Sequence, residues 1–571
     1  MKLIEIRLLD GPNLYLLRPA VRIEVVVGRR RSWYGQRLPG RHSVVRLGAN
    51  VARADAPASV GAVADWVRRL HTLALGQLGV TARIHRTSEP GHWVVSFPWQ
   101  EAGRAEAVAR HAFRLADRRA DPRGTARPPP RQLLRAIRDA ATTAPSWITD
   151  EERRVPAICI SGTNGKSTTT RMIAHILRGA GRHVGLTTSD GVIVDDVVVE
   201  EGDLTGPLGA QRVLRDPTVE VAVLETARGG ILLRGLGFES NDAAVLTNIS
   251  PDHLDLQGLH TLPELAEVKS VIARVTKASG TVVLNAEDAL ISSMARQVKA
   301  QVCLFSLQRN SPRVRRHVAA GGRAVVLDDG WLTELEGDAR TRIVKASELP
   351  ATLGGAARYN IANALGAAAG AMAMGASRAQ VAAGLRSFSP TSDQMPGRLN
   401  LYRLGSRLII IDFAHNPAGL SVLLDTVDAM IGKRGQRNGT LTTVIGGAGD
   451  RPDDMIHDLA RMAARRSDQV ALKETLHYLR GRTRQSMLGE LLTGLREGGI
   501  KQADVPVYES EPLAVRGELT TEGRLAALDD GQPHLLIVLC HEDRAEVAAE
   551  LAALGAIPTN DVGDIVGAAA S

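Results

Sequence analysis

The chain has 571 residues, of which 44% are hydrophobic and 23% charged, and its formal net charge is +8. A chain of this length exceeds what one hydrophobic core supports, so we expect two to four domains. The three cysteines, Cys159, Cys303 and Cys540, are far apart and lack metal-ligand spacing. This pattern argues against a disulfide scaffold or a zinc site and favours a reducing cytoplasm. The first apolar stretch contains charges and the longest apolar runs are too short for a bilayer, so we expect neither a signal peptide nor a membrane span.

The basic excess is confined to the first part of the chain. Residues 1–150 contain 25 Lys+Arg and 12 Asp+Glu, whereas the rest contains 45 and 50. One interpretation is an acidic ligand there, such as an anionic polymer or nucleic acid. The other is an Arg-rich solvated surface without a specific ligand. Charge alone does not choose between them.

The N-terminal segment alternates short β-like runs with helical patterns, which predicts a small α+β domain over residues 1–118. The predicted strands are Val21–Val27 and Trp93–Phe97, and the predicted helices are Val60–Leu78 and Ala102–Ala116. A Pro/Arg-rich stretch and a short helix, Arg131–Ala141, follow, and we interpret residues 119–150 as a linker.

The central part opens with an apolar strand, Val155–Ile160, that leads directly into SGTNGKSTTT and a helical pattern. A strand, a glycine-rich turn and a helix start form the usual phosphate-binding arrangement. Lys166 offers a positive charge to the β/γ-phosphates, and the Ser167 hydroxyl suits Mg²⁺. The alternative is a glycine turn with a surface lysine. The predicted nucleotide loop comprises Gly162, Thr163, Asn164, Gly165, Lys166, Ser167 and Thr168.

Two further predicted strands end in polar groups. Glu225 follows Val219–Leu224, and TNISPDH, which contains His253, follows Ala243–Thr247. Lys269 lies sixteen residues after His253, within a helical pattern over Glu264–Val275. Since parallel strands end at one sheet edge, these groups are candidates for metal and phosphate chemistry. A helix cap or a structural histidine is the simpler reading of each one alone.

A third α/β region follows a helical segment, Asn360–Met374, and a break at SPTSDQMPGR. Its predicted strands are Leu408–Phe413, Thr442–Gly446 and His534–Leu539. Asp412 can hold a ribose hydroxyl and Arg398 a phosphate oxygen. In isolation, each of these residues is equally well explained as an ordinary polar residue of a loop.

Taken together, the motifs resemble the Mur ligase family. They appear in the family's order as GTNGKST, LETARGG, TNISPDH, RYNIAN and DFAHNP over roughly residues 150–560. Within the family, TTSDG, EEGDLTGP and LRGR are most similar to the Mur-like half of cyanophycin synthetases, and LDGPNLY is similar to their N-terminal domain.

The resemblance implies an α/β protein of three domains. They are an α+β domain over 1–118, a P-loop central domain with a doubly wound parallel sheet over 151–395, and a Rossmann-like C-terminal domain over 396–571. It implies an ATP-dependent ligase that forms an amide bond between a carboxylate and an amine through an acyl phosphate. ATP and Mg²⁺ are the implied cofactors. The implied partners are an acidic or peptide-like acceptor and an amino acid, with a homo-oligomer possible and no membrane.

The resemblance also implies a role for each site residue. Lys166 and Arg398 neutralise phosphate charge, and Ser167 and Glu225 hold one Mg²⁺. His253 holds a second Mg²⁺, near a lysine that the family often carbamylates and that Lys269 matches. Further groups contact the nucleotide: Asn360 the adenine, Asp412 the ribose, and His415 at a position close to them.

Three departures from the cyanophycin synthetase pattern are visible. The ATP-grasp domain is replaced by the short stretch Ala120–Ser146, Tyr359 stands where the family usually has histidine, and Glu474–Tyr478 is less acidic than an arginine pocket requires. The missing domain leaves open a non-catalytic nucleotide-binding partner of a separate synthetase. A nucleic-acid-binding P-loop protein is disfavoured, because the basic part lacks aromatic stacking clusters.

Overall fold

The computed structural model describes residues 1–27, 50–117, 129–251, 258–437, 439–520 and 534–560. The strands are β1 (Lys2–Leu9), β2 (Ala20–Val26), β3 (Arg83–Arg86), β4 (His92–Pro98), β5 (Ala157–Ser161), β6 (Val184–Thr188), β7 (Gly191–Val194), β8 (Val197–Glu201), β9 (Val221–Glu225), β10 (Asn241–Leu246), β11 (Thr276–Asn285), β12 (Gln301–Ser306), β13 (Arg323–Asp328), β14 (Trp331–Glu336), β15 (Ala339–Lys345), β16 (Asn400–Leu404), β17 (Arg407–Asp412), β18 (Thr440–Ile445), β19 (Gln469–Lys473), β20 (Val507–Tyr508), β21 (His534–Leu539) and β22 (Ile557–Pro558).

The helices are α1 (Ala58–Leu75), α2 (Ala102–Asp117), α3 (Arg131–Arg138), α4 (Lys166–Gly179), α5 (Pro207–Leu214), α6 (Arg228–Leu233), α7 (Leu262–Lys269), α8 (Val271–Arg274), α9 (Ala289–Ser293), α10 (Pro312–Ala319), α11 (Arg358–Ala373), α12 (Arg378–Ser387), α13 (Pro417–Ile431), α14 (Asp453–Arg466), α15 (Arg484–Glu497), α16 (Glu511–Leu519) and α17 (Arg544–Ala553). No helix in the described ranges is long and apolar enough to cross a membrane.

The chain divides into two compact units. The first comprises Met1–Gly162, Gly181–Ile249 and Leu254–Leu304, and the second comprises Thr163–Ala180, Ser250–His253 and Phe305–Ser571.

The first unit begins with an antiparallel sheet in the order β1-β2-β4-β3. Helices α1 and α2 pack together, and their apolar residues share one core with the strands, including Trp66 and Phe97. Helix α1 ends at Leu75, three residues before the predicted Leu78. The reason is Gly76, whose left-handed φ of +66° lets its N–H bond back to the Thr72 carbonyl. These elements show the α+β pattern that the sequence predicts for the first part of the chain.

The first unit also contains strands in the order β11-β10-β5-β9-β6-β7-β8. The pairs from β11 through β6 are parallel, and β6, β7 and β8 form an antiparallel meander at the edge. The carboxyl ends of β5, β9 and β10 are therefore neighbours, as the positions of the motifs predicted.

The second unit contains a sheet in the order β20-β19-β18-β21-β17-β16-β22. The pairs among β20, β19, β18, β21 and β17 are parallel, whereas β16 pairs antiparallel with both of its neighbours. Strand β21 shows how both faces are covered: Leu535, Ile537 and Leu539 lie in one core, and Leu536 and Val538 in another. Helix α4 packs on α11 and α12 in this unit.

The predicted α/β class with parallel-dominated sheets is confirmed. One predicted helix, Glu264–Val275, is instead two, α7 and α8, separated at Ser270. The Ser270 hydroxyl donates to the Glu267 carbonyl at 2.7 Å, a local bond of the kind that competes with helical pairing.

Candidate active site

In the first unit, three strand ends are tied together by backbone hydrogen bonds. The N–H of Thr226, after β9, donates to Ile160 of β5, and the N–H of Thr247, after β10, donates to Ser161. The Ser161 hydroxyl also donates to the Thr226 carbonyl at 2.7 Å. These bonds fix the start of the glycine loop relative to the residues that follow β9 and β10.

The close packing of the loop against Thr247 requires glycine at position 162. A Cβ atom at this position would lie 1.9 Å from Oγ1 of Thr247, so any side chain would push β5 and β10 apart. The glycine therefore lets the loop leave β5 directly over the neighbouring strand end.

Lys269, at the end of α7, reaches this glycine. Its Nζ donates to the Gly162 carbonyl at 2.6 Å, and the residue is only 4% exposed. A buried lysine needs a partner for its N–H groups. Carbamylation at Nζ would retain one N–H for the same bond and would add a carboxylate.

Glu225 ends β9 and is 3% exposed. Its backbone carbonyl accepts a hydrogen bond from the Thr187 hydroxyl of β6 at 3.3 Å, which holds the strand end in place. A carboxylate this deeply buried supplies oxygen ligands of the type that Mg²⁺ prefers.

In the second unit, the rest of the loop leads into α4. Gly165 precedes the helix with φ +82°, and a Cβ there would lie 2.2 Å from Oδ1 of Asn363. Lys166 Nζ donates to the Thr163 carbonyl at 2.9 Å, while Ser167 and Thr168 are buried at the first turn. The helix start thus presents backbone N–H groups and a lysine, which together favour an anion.

Two asparagines within this unit join the loop to the DFAHNP segment. Asn164 Nδ2 donates to Asn416 Oδ1 at 3.4 Å, and Asn416 Nδ2 donates to Asn164 Oδ1 at 3.2 Å. Asn416 also accepts from the Gly419 N–H at 2.8 Å and thereby caps α13. Asn416 has no role among the sequence predictions, although its place before a helix-starting proline marks it as a cap.

Asn360 and Asn363 form a chain of amide bonds on α11. Asn360 Nδ2 donates to the Ala351 carbonyl at 2.8 Å, and Asn363 Nδ2 donates to Asn360 Oδ1 at 3.0 Å. Asn360 is fully buried, so its side chain anchors the beginning of α11. Its predicted contact with adenine stays a prediction.

Asp412 ends β17 and is held by backbone donors. Its Oδ1 accepts from the Ala414 N–H at 2.8 Å and its Oδ2 from the Leu399 N–H at 2.9 Å. Burial raises the pKa of Asp412, although the Ala414 bond opposes that shift. The bonds place the carboxylate beside the segment that carries Arg398.

The side chains of two predicted site residues pack against the Phe413 ring. The Arg398 guanidinium lies 5.0 Å from the Phe413 ring centre, and the His415 ring packs on its edge at 5.2 Å. His415 Nδ1 also contacts the Phe413 carbonyl at 3.0 Å. The structure therefore brings Arg398, Asp412 and His415 together within the second unit.

A buried ionic cluster behind this segment escaped the sequence analysis. Lys473 pairs with Glu511, and both side chains have no exposed surface. Glu511 also accepts from the N–H groups of His541 and Asp543, at 2.6 and 2.8 Å. His541 Nε2 donates to the Ala414 carbonyl at 3.0 Å, so the cluster braces the DFAHNP backbone. Lys473 at the end of β19 and His541 just after β21 follow the strand-end pattern that identified Glu225.

The N-terminal LDGPN segment packs inside the first unit. Asp10 N–H donates to the Arg234 carbonyl and Leu236 N–H donates to the Pro12 carbonyl, both at 2.8 Å. A Cβ at Gly11 would lie 1.7 Å from the Leu236 carbonyl oxygen. The buried Asn13 amide holds the turn by donating to the Gly11 carbonyl. The LDGPN motif therefore forms a turn that packs against the residues that follow α6.

One predicted site residue and three consecutive arginines of the basic N-terminal part lie outside the described ranges. His253 falls in residues 252–257, and the cluster Arg29, Arg30 and Arg31 falls in residues 28–49.

Comparison with known proteins agrees with the motifs. Residues 160–371 match the Mur ligase middle domain. The cyanophycin synthetase of Trichormus variabilis is 41% identical over 368 residues, 64% of this chain and 40% of that protein. The chain thus spans about two fifths of the length of that relative. Among solved structures, E. coli FolC in complex with DHPP and ADP has a TM-score of 0.49 and 20% identity, covering 70% of this chain and 89% of that one.

A second curated relative is covered over most of its own length. The UDP-N-acetylmuramyl-tripeptide synthetase of Deinococcus radiodurans is 30% identical over 413 residues, 70% of this chain and 76% of that protein. The shared middle domain and this extended match show that the chain belongs to the Mur ligase family.

Proposed function

We propose that this protein is an ATP-dependent ligase that joins a carboxylate to an amino acid or another amine and releases ADP and phosphate. The carboxylate belongs to a peptide, a polymer or a small acid. The observation that carries the proposal is the combination of the Gly162–Thr168 loop with a buried Glu225 on the strand next to β5. The names of the relatives, both synthetases, support the same reaction class.

The residues present fit a nucleotide and a divalent metal. Glycine is required at positions 162 and 165, because a Cβ would lie 1.9 Å from Oγ1 of Thr247 and 2.2 Å from Oδ1 of Asn363. The loop between them leads into the start of α4, where backbone N–H groups favour phosphate oxygens. Ser167 and Glu225 supply the oxygen ligands that suit Mg²⁺. On the motif match, these two would hold one Mg²⁺, and His253 with a carbamylated Lys269 would hold a second. Bound Mg²⁺ would neutralise charge on the transferring phosphoryl group.

The reaction follows from these roles. An oxygen of the acceptor carboxylate attacks the γ-phosphorus, the bond to the β-phosphate oxygen breaks, and ADP leaves. Lys166 and Arg398 offset the negative charge of the resulting acyl phosphate. The amine nitrogen then attacks the acyl carbon, phosphate leaves, and the nitrogen loses a proton to give the amide.

The nucleoside end of ATP is assigned to the second unit. Asp412 would hold the ribose and Asn360 would contact the adenine, with His415 close to both. The placement of Arg398, Asp412 and His415 around Phe413 supports this assignment. Each end of the Asn360 amide makes one hydrogen bond within the chain and keeps one further hydrogen-bonding position, which the adenine contact would use.

We propose that residues 1–118 hold the acceptor and that the C-terminal part receives the amine. The Glu474 carboxylate is 7% exposed and already pairs with Arg484 at 2.6 Å. It therefore does not offer an unpaired charge to a substrate guanidinium, which argues against arginine as the added amino acid.

We also propose domain limits near residues 118, 150 and 395 and a cytoplasmic location. The three cysteines support that location, because all are buried and unpaired by disulfides.

The test is an ADP-release screen that crosses acceptor acids with amino acids, using the full chain, ATP and Mg²⁺. We expect release that requires both an acid and an amine. Lys166→Ala should lower it on the order of a hundredfold or more, because one positioned charge at the transferring group is lost. Lys299→Ala, which removes an exposed lysine, is the matched control.

Two outcomes would contradict the proposal. Near-normal ADP release by folded Lys166→Ala would show that the loop is not the phosphate site. Nucleotide binding without ADP release under any pair of substrates would instead favour a non-catalytic partner of a separate synthetase.

A further inference from the structure

A tight turn between β3 and β4 brings a carboxylate and an imidazole together. Residues 89–92 have the sequence EPGH, and the His92 N–H donates to the Glu89 carbonyl at 3.1 Å. Proline at the second position and a glycine with φ of +82° at the third, Gly91, are typical of a type II turn. The turn therefore holds Glu89 and His92 close together at the beginning of β4.

A second carboxylate comes from the neighbouring strand β2. In the antiparallel pairing of β2 with β4, Glu24 lies diagonally across from His92 on one face of the sheet. Nδ1 of His92 lies 3.0 Å from Oε1 of Glu24 and 3.2 Å from Oε2 of Glu89. Ligand atoms about 2.0–2.2 Å from one metal ion lie about 3.0–3.4 Å from one another. The three side chains thus have the spacing of metal ligands.

Hydrogen bonding alone does not explain why two carboxylates meet at one nitrogen. Nδ1 of His92 carries at most one proton, and a hydrogen bond weakens steeply as it bends, so this proton serves only one oxygen well. A divalent cation, by contrast, binds both carboxylates and the nitrogen at once. Imidazole combined with carboxylates suits Zn²⁺ and other divalent transition metals better than Mg²⁺ or Ca²⁺.

Both carboxylates are also held at their other oxygens. The Arg22 guanidinium pairs with Oε2 of Glu24, which is only 8% exposed. Oε1 of Glu89 lies 3.7 Å from Nε2 of His260. Outer contacts of this kind orient the ligands in metal sites and strengthen binding. The inner oxygens of Glu24 and Glu89 are thereby directed towards His92.

We propose that Glu24, Glu89 and His92 bind a divalent transition-metal ion of the Zn²⁺ class. The ion would fix the turn against β2. Because the Ser88 hydroxyl donates to the Gly258 carbonyl at 3.2 Å, the same turn also contacts the segment that precedes α7. The sequence argument against a zinc site concerned the three cysteines, which take no part here. The nucleotide motifs supply none of these ligands, so the inference is independent of the proposed function.

The test titrates the full chain with Co²⁺, whose visible absorption reports its ligands, in the presence of excess Mg²⁺. The natural protein should bind Co²⁺ at this site, and Zn²⁺ should displace it. Glu89→Gln and His92→Gln should each weaken that binding by at least about tenfold, since each removes one of three protein ligands. Glu89→Gln keeps the size of a partly exposed side chain, so its Tm without added metal reports whether the fold is retained.

The matched control is His183→Gln. It removes an exposed histidine whose Nδ1 lies 2.6 Å from Asp195, a single carboxylate, and it should leave Co²⁺ binding unchanged. Equal Co²⁺ binding by the natural protein and folded Glu89→Gln would overturn the inference and leave His92 as a hydrogen-bonded bridge between two carboxylates. Equal weakening in His183→Gln would assign the ion to surface histidines and would overturn it as well. Failure of the natural protein to bind Co²⁺ would do the same. ADP release measured with Mg²⁺ alone tests the proposed function separately.

Discussion

At the scale of single residues, the chemical state of the buried Lys269, a free amine or a carbamate, matters most for the candidate site. Its Nζ bonds the Gly162 carbonyl at 2.6 Å, an interaction that an amine and a carbamate can both make. Only the carbamate adds a metal ligand, because a protonated ammonium repels Mg²⁺.

We expect Lys269→Ala to lose most ADP release and propionate to restore part of it. The added acid would supply the missing carboxylate in the space that the side chain vacates. Lys277→Ala is the control, since this lysine is paired at distances of 3.7 and 3.8 Å with Asp242 and Asp150 and is not a site residue. Rescue by ethylamine rather than propionate would show that Lys269 acts as an amine holding Gly162.

The site residues that could be predicted from the sequence lie within a short motif or at the end of a predicted strand. Glu225 and Asp412 are the last residues of β9 and β17, and Lys166 begins α4 after the glycine turn that follows β5. The Asn164–Asn416 pair joins residues 252 positions apart. Such pairing depends on how the elements pack, and one sequence does not encode that packing in a local pattern.

At the scale of elements, periodicity predicted the long buried helices and the strongly apolar strands. Helix α2 was predicted over Ala102–Ala116 and spans Ala102–Asp117, and β21 was predicted at its observed limits. The edge strand β8 was missed because Val197, Val198 and Val199 are all exposed and show no alternation.

The cluster behind β21 and β19 makes local stability depend on pH. Burial lowers the pKa of His541 well below 6.5, and Lys473 lowers it further. The unfolded chain therefore binds a proton that the folded chain does not, so stability is full above about 6.5 and falls as the pH decreases, by about 1.4 kcal/mol per unit. Glu511, whose pKa is about 2, adds a further loss only below 4.5.

Hydrogen exchange of peptides that cover β21 checks this dependence between pH 7.5 and 5.5. The natural protein should exchange increasingly through local opening at the lower pH, after correction for intrinsic rates. His541→Gln should flatten the change, whereas His477→Gln, which removes an exposed histidine, should not. An unaltered slope in His541→Gln would mean that other groups control the stability of β21.

At the scale of the whole molecule, we propose that the basic N-terminal part captures the acceptor and that the later part of the chain binds the nucleotide. Every nucleotide motif lies after residue 155, whereas residues 1–150 contain 25 basic and 12 acidic residues. Exposed arginines attract carboxylates over distances set by the salt concentration. An Arg-rich surface without a ligand remains the competing interpretation.

Reversing Arg29, Arg30 and Arg31 to Glu should raise the KM for the acceptor strongly and leave that for ATP unchanged. The effect should weaken with added salt, because screening reduces long-range attraction. Reversing Arg313, Arg315 and Arg316 on α10 changes the same charge in the other unit and serves as the control. Unaltered acceptor kinetics at low ionic strength would assign the basic bias to composition alone.

The contacts of the LDGPN turn limit where the chain can be shortened. Asp10 and Pro12 exchange backbone hydrogen bonds with Arg234 and Leu236, and Gly11 lies too close to Leu236 for any side chain. Removing the N-terminal region would leave a carbonyl and an N–H without partners on the segment that follows the Glu225 strand. The first residues therefore form part of the packing around that segment, and a shortened chain would need a replacement for those contacts before another domain could be fused to it.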